Sequence, residues 1–544
     1  MTDPDMRMTP NYASYIRCEM NARWFFAEQP RIRGRGSHLM MAGLNRYEVR
    51  CSSGSSTQPF QNLNCLHFGP NNFIILLKPF ISRVIDYICI YYCIMSECFS
   101  YCHKKRTIQQ LPTPARKGHN AILNSNYLDD ITDEIGTWGC QRTLIVHSKA
   151  LGENTDVVER LKEKLGSFVV GTKSGVGAHS PYEDVLEIAK LLREKKADCL
   201  ISIGSSSYSD ACKIARLMHA NLAPDNLTVE AMEALVDQAK GSAAGLEDPT
   251  IKLILIPTSL SASEWNCNSS ATNPQSKKKQ HFSSEHAAPN LILLDPEVAS
   301  TSPRKLWLSS GMRAVDHCVE TVCIHINDPR AHRHAYATSV MQMISDKCTK
   351  EVFRHMEDAL AVLLRGLMDY MNGESDNNRS EMLDGIANCQ IGARNAMMGL
   401  ILWNIPMGLS HAIGHQLGST CGVMHGVTSC IMLAPVLRYN ASKSEKQRHL
   451  QQSVLEIWNK VLERDESSLA DAVANFVKSL GLPSTLREVG IQEPADIEKV
   501  VDSTMTDVFG AMEGMGQKQD VLAILESAKG RETEDGCLDG DAPM

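Results

Sequence analysis

Residues 198–210 read DCLISIGSSSYSD, an apolar run from Asp198 to Ile203 that leads straight into the small, hydroxylated turn Gly204-Ser205-Ser206-Ser207-Tyr208-Ser209-Asp210. A short apolar run without polar alternation predicts a strand covered on both faces, the kind found in parallel sheets. The flanking sequence supports this. RTLIVH at 142–147 predicts a strand, 156–165 a helix, 168–170 a short strand and 181–195 an amphipathic helix. Downstream, 209–220 predicts a helix, and KLILIP at 252–257 and 291–294 further strands. Strands alternating with helices call for a parallel sheet with right-handed crossovers. After Pro296 the strand signal stops. From Met312 to about Ser527 the chain is helix-length stretches rich in Ala, Leu, Met, Glu and Lys, broken by turns such as Gly481-Leu482-Pro483. The expected architecture is an α/β domain over 113–297 followed by an all-helical domain over 298–530, with a ligand cleft between them.

The 544 residues, 43% hydrophobic and 22% charged, exceed what one core usually organises. The first 112 differ from the rest. They hold seven of the 18 cysteines and 13 of the 55 Lys and Arg, but seven of the 63 Asp and Glu, so they are net +6 and the remainder is net −14. They show no sustained period, and 1–112 is expected to be a poorly ordered or atypical extension, with 531–544 a flexible tail. The apolar stretch from Phe73 to Phe99 is cut by Lys78, Pro79, Arg83 and Asp86, leaving ten uncharged residues at most, Tyr87 to Ser96; a spanning helix needs about 20. Cys98, Cys102 and His103 lack a second pair at zinc-finger distance. Asp3 and Asp5 stand where a secretory leader is basic, so a reduced compartment is expected, cytoplasmic or mitochondrial. Neither Lys104-Lys105-Arg106 nor Lys277-Lys278-Lys279 makes a nucleic-acid patch in an acidic chain.

Three motifs carry chemistry. The 204–210 turn joins a strand end to a helix start, where backbone N–H groups and the helix dipole favour an anion; Gly204, Ser205, Ser206 and Ser207 are the candidate phosphate cradle. An ordinary turn with Ser209 as N-cap reads the same residues. Pro257 to Glu264 (PTSLSASE) follows another strand, and Thr258 and Ser259 are candidates for a phosphate or ribose. The third is Gly408 to Gly418 (GLSHAIGHQLG) followed by Met424-His425-Gly426. His411 and His415, four apart, share one helix face roughly 6 Å apart, and His425 can return to the same site. Three imidazoles in so short a span suit a divalent metal with an open position for a substrate oxygen, whereas any one of them alone reads as a satisfied structural histidine. Cys318, Cys323, Cys421 and Cys430 flank these helices and are expected to be packing residues.

These motifs, in this order, resemble the iron-type (group III) alcohol dehydrogenase family, and within it the maleylacetate reductase-like branch. Ile203 to Ser207 with Asp210 and Lys213 is similar to the family's G-G-G-S-x-x-D-x-x-K turn, which implies that Asp210 also belongs to the cofactor-binding residues. PTSLSASE is similar to P-T-T-x-x-G-S-E, and Ser310-Gly311-Met312-Arg313-Ala314-Val315-Asp316-His317 leads to an H-x3-H-x9-H pattern. The resemblance implies a Rossmann-like dinucleotide-binding domain, NAD(P)-dependent hydride transfer to a small-molecule carbonyl or conjugated oxo-acid, and a homodimer. It places His317, His411 and His425 at the metal-ligand positions, with iron or zinc as the family metal, and His415 beside them as a proton-handling or nicotinamide-side residue. The ligand aspartate is replaced by Arg313.

A guanidinium cannot donate a lone pair to a metal. Asp316, about 100° round the helix from His317, is a poor substitute. Arg313 therefore points to a metal-independent reductase that binds an anionic group. A metal-dependent alcohol dehydrogenase is the alternative, and a catalytically silent nucleotide-binding homologue the second. Where NADH-specific relatives close the first strand with aspartate, this chain has His147-Ser148-Lys149. NADPH is thus expected to be accepted, with preference over NADH left open, and with Ser148 and Lys149 at the cofactor.

Overall fold

The computed structural model describes residues 106–110, 120–241, 246–275, 279–284, 287–325, 338–403, 405, 407–505 and 517–530. Residues 1–105 and 111–112 of the expected extension, including Cys98, Cys102 and His103, lie outside them, as does the tail 531–544.

The described residues contain nine strands: β1 (Thr107–Gln110), β2 (Asn120–Leu123), β3 (Thr143–His147), β4 (Val169–Ser174), β5 (Cys199–Gly204), β6 (Lys252–Pro257), β7 (Asn268–Thr272), β8 (Lys279–Ser283) and β9 (Leu291–Leu294). Seven form one sheet in the order β1-β2-β9-β6-β5-β3-β4, while β7 and β8 form a separate antiparallel pair. β1 is antiparallel to β2; the other neighbours in the large sheet are parallel. The α/β fold is as expected, but among the described residues the sheet begins at Thr107, inside the stretch assigned to the extension.

Alternation along the buried strands divides the sheet into two covered faces. Leu144, Val146, Leu200, Leu253 and Leu255 pack under α4 (Tyr182–Glu194) and α5 (Ser206–Asn221). Ile145, Ile201, Ile203, Ile254 and Ile256 pack under α1 (Tyr127–Trp138) and α3 (Val157–Leu165), with α2 (Lys149–Asn154) between these last two in sequence. This double burial is why those strands read as continuous apolar runs. α6 (Val229–Gly241) completes the helices of this half.

Two boundaries differ from expectation. α5 starts at Ser206, with Ser205 as the N-cap residue, so Ser209 sits buried in its first turns and is not the cap. β4 runs over 169–174, with Phe168 in a preceding turn.

From Pro296 onward the described residues are helical: α7 (Pro296–Ala299), α8 (Arg304–His325), α9 (Thr338–Ser375), α10 (Arg379–Trp403), α11 (Leu409–Cys421), α12 (His425–Lys443), α13 (Glu445–Leu462), α14 (Leu469–Ser479), α15 (Pro494–Thr504) and α16 (Lys518–Ser527). The main helical core includes Trp307, Leu363, Cys389, Leu433 and Trp458, and reaches the sheet at Leu123, Ile292 and Leu294. Cys318, Cys323 and Cys430 are buried as expected of packing residues, and Cys421 is half-buried. Among the described residues no helix is long and apolar enough to cross a membrane.

One property of the sheet positions a ligand. The chain leaves β3 for β4 on one side and leaves β5 for β6 on the other. Crevices at the carboxyl ends of strands where the winding reverses are where α/β sheets bind ligands. Here that crevice lies between His147-Ser148 and Gly204-Ser205, which are held in register by the Ser148 N–H donating to Ile203 O at 2.9 Å.

Candidate active site

A cavity of about 570 Å³ opens at this carboxyl edge. One side is the α/β half: the loop after β4 around His179, the Ser205–Tyr208 turn, and Lys279 and His281 of β8. The other is helical: Ser310, Arg313 and His317 of α8, His411 and His415 of α11, and His425 at the start of α12. Residues more than a hundred positions apart in sequence thus share one wall.

The turn fits a phosphate. Ser205, Ser206 and Ser207 line the cavity at the start of a 16-residue helix, and Ser206 Oγ is buried without a hydrogen-bond partner among the described residues. An orphaned buried hydroxyl costs stability unless something fills it. Asp210 behaves differently from its expected cofactor role. Although it lines the cavity, its carboxylate accepts from Ser270 N–H and Oγ at 3.0 Å each and pairs with Lys213 Nζ at 3.1 Å. Lys213, fully buried, also donates to Ser263 O, Asn266 O and Asn268 O. The pair pins α5 to β7.

Gly204, Ser148, Lys149, Thr258 and Ser259 do not line the cavity. The Thr258 N–H closes the exit of β5 by donating to Gly204 O at 3.0 Å, and Thr258 and Ser259 are buried. Ser148 caps α2. Lys149 is 70% exposed and lies 3.8 Å from Glu153.

The histidines do come together. His317 and His411 stack with ring centroids 4.8 Å apart, His415 and His425 at 5.8 Å, and His281 approaches His415 at 6.3 Å. α12 can approach α8 because residue 426 is glycine: a Cβ there would stand 2.6 Å from the Ser309 carbonyl carbon. Burial pushes His317 down to about 3, with Arg313 adding to the effect. It also drives His411 and His425 well below their ordinary value, again with Arg313 next in importance. All three are neutral imidazoles at physiological pH.

Arg313 itself is 2% exposed. Its Nη1 donates to Ser429 Oγ at 3.0 Å and would lie 3.2 Å from a Cβ at Gly414, so the guanidinium passes α11 between His411 and His415. Glu320, one turn beyond His317, anchors His411. It accepts from His411 Nδ1 at 2.7 Å and from the backbone N–H groups of Gly408 and Ser410, each at 2.8 Å. Asp316 accepts from Ser410 Oγ at 2.8 Å and Ser429 Oγ at 2.6 Å. Burial raises Asp316 to about 6 against the lowering effect of Arg313, and raises Glu320 well above its ordinary value, with Asp316 adding to it. Glu320 escaped the sequence reading, although its spacing from His317 places it on the same helix face.

These residues do not fit a resident iron or zinc. Among the described residues, the only three side chains whose ligand atoms all lie within 4.8 Å of one another are Asp316, Glu320 and His411. The expected His317, His411 and His425 tripod does not close to that distance. In the set that does close, His411 Nδ1 is engaged with Glu320, and three of the four carboxylate oxygens hold N–H or O–H donors. A divalent ion would also face the buried positive charge of Arg313.

Comparison with known proteins bears on most of the described region. Residues 119–296 match the family described as iron-containing alcohol dehydrogenase, and residues 354–529 match the C-terminal domain of the Fe-containing alcohol dehydrogenase family. The chain is 31% identical over 408 residues to the dehydrogenase ALT3 of Alternaria alternata, covering 72% of this chain and 100% of that protein. It is also 31% identical over 386 residues to the dehydrogenase FUM7 of Gibberella moniliformis, covering 68% and 85%. A crystal structure of maleylacetate reductase from Agrobacterium tumefaciens shares the fold at a TM-score of 0.53 and 16% identity, over 75% of this chain and 95% of that one.

Proposed function

The chain belongs to the iron-containing alcohol dehydrogenase family of oxidoreductases, and from that premise we propose that it is an NAD(P)H-dependent, metal-independent reductase of carboxylate-bearing carbonyl compounds, maleylacetate reductase-like in its substrate class. Arg313 carries this reading. A guanidinium 2% exposed in the cavity wall, at the position where the family resemblance places an anionic metal ligand, disfavours a cation and favours a carboxylate.

The Ser205–Ser207 turn is the assigned seat of the dinucleotide phosphates. When bound, the nicotinamide supplies the hydride. The protein's own part is orientation and proton handling. Arg313 attracts the acid group, and the neutral rings of His317 and His411 line the carbonyl end as hydrogen-bonding groups. His415, facing the cavity between His281 and His425, is placed to pass a proton to the carbonyl oxygen. Domain limits of 113–297 and 298–530 suit this reading, moved at the N-terminal side to include β1.

The test is turnover of NADPH and NADH with oxo-acids and with neutral aldehydes of matched size, before and after exhaustive chelation. Preference for acids, unchanged by chelator, is expected. Arg313→Asp should raise KM for acids at least tenfold more than for aldehydes. Activity lost to chelator and restored by iron or zinc would establish the metal-dependent alternative, and cofactor binding without turnover the silent one.

A further inference from the structure

The loop after β4 holds two consecutive non-glycine residues in the left-handed region, His179 at φ 61° and Ser180 at φ 51°. The left-handed region is costly for residues that carry a side chain, and strain of this kind persists where the surroundings over-determine it. The surroundings here are specific. Thr272 Oγ1 donates to His179 O at 3.1 Å, Thr272 N–H to Ser180 O at 3.2 Å, and Ser180 Oγ to Ser207 O at 2.9 Å. The loop is therefore bound to β7 and to the turn assigned to the cofactor.

What this arrangement holds in place is an imidazole in the cavity wall. The ring crosses to the helical half: His179 Cε1 would lie 3.3 Å from a Cβ at Gly418, one turn beyond His415 on α11. A partly exposed polar ring held by a strained backbone, between the cofactor turn and the histidine cluster, is placed to touch a small molecule lying between them. Burial, with Lys279 adding to it, pushes His179 down to about 4, so the neutral ring can donate through one nitrogen and accept through the other.

We propose that His179 is a substrate-contacting residue, hydrogen-bonding an oxygen of the oxo-acid from the α/β side of the cavity and thereby setting its orientation against the cofactor. This rests on the oxo-acid reading above.

The test uses the full chain with NADPH and the best oxo-acid found. His179→Asn keeps the left-handed backbone, which asparagine tolerates, but its amide falls short of the ring's reach. KM for the acid should rise about tenfold, with the NADPH dissociation constant and melting temperature unchanged. His179→Gly should lose at least as much activity and recover part of it on addition of imidazole to the assay. Unchanged KM in both variants would overturn the proposal. So would equal losses of acid and NADPH binding together with a lowered melting temperature, the signature of a purely structural loop. If the wild-type chain turns over no oxo-acid, the functional reading fails instead, and that result is visible before any variant is made.

Discussion

Glu320 accepts a hydrogen bond from Nδ1 of His411 at 2.7 Å while taking the N–H groups of Gly408 and Ser410, each at 2.8 Å. One carboxylate thus fixes the tautomer of His411 and satisfies two orphan donors at the start of α11. With Glu320 ionised the hydrogen sits on Nδ1, and Nε2, which has no hydrogen-bond partner among the described residues, is left as an acceptor.

Glu320→Gln probes this link at almost constant volume. An amide replaces one acceptor oxygen with a donor, so either the Ser410 N–H or the pair Gly408 N–H and His411 Nδ1–H meets another donor. Leaving a buried donor unsatisfied costs about 1–3 kcal/mol. Thermal denaturation should show a loss in that range, and kcat/KM should fall at least tenfold. Wild-type values for both would mean that His411 is oriented by other contacts.

Ala262 sits fully buried at φ 61°, where the resembled P-T-T-x-x-G-S-E pattern has glycine. Opposing terms decide the effect of restoring it. Relief of left-handed strain contributes about 1–2 kcal/mol, offset by about 0.8 for the lost buried methyl and about 0.5–1 for the freer unfolded chain. Ala262→Gly should therefore leave stability within about 1 kcal/mol of wild type. Ala262→Val, β-branched in a region such residues avoid, should cost more than 2 kcal/mol in denaturant unfolding. A benign valine would show that this turn can relax.

Both halves of the site are legible in the sequence to the extent that local pattern records them. β5 and its turn show because a strand covered on both faces must be apolar throughout. His411 and His415 show because helical spacing puts them together. β1, β7 and β8 do not show: TIQQ, NSSAT and KQHFS are short and largely polar, and they are strands because of their partners. α5 starts three residues early because Ser206 and Ser207, indifferent helix formers, are held by the strand end and by the loop after β4. His179 could not be singled out, since its φ and its place against α11 are tertiary facts.

Cofactor choice is tested at Lys149, beside the crevice between β3 and β5. Its contact with Glu153 is long, and both side chains are exposed at 70% and 61%. Such a pair contributes little, so the ammonium can engage a 2′-phosphate at small cost. An exposed contact of that kind is worth about 1 kcal/mol, roughly fivefold in affinity. Lys149→Ala should raise KM for NADPH about fivefold and leave NADH unchanged. Equal KM values for both cofactors in wild type and variant would remove Lys149 from the cofactor site.

Stability should depend on pH through Glu264, a carboxyl buried between Ser263, which lines the cavity, and Trp265. Burial raises it from its ordinary 4.5 to about 7, despite lowering by its own backbone N–H and by Lys213. Between those values the folded state binds the proton more tightly than the unfolded chain does. The stabilisation is therefore complete below pH 4.5 and is lost as pH rises through about 7, by roughly 3 kcal/mol in all. Glutamine preserves the shape and cannot ionise. Glu264→Gln should match wild type in stability near pH 4.5 and exceed it progressively up to pH 8, where the gap is on the order of 3 kcal/mol. Denaturant midpoints measured across that range check the sign directly. Parallel profiles for the two proteins would show that Glu264 ionises in the fold as easily as in water, with Lys213 supplying enough positive charge to offset its burial.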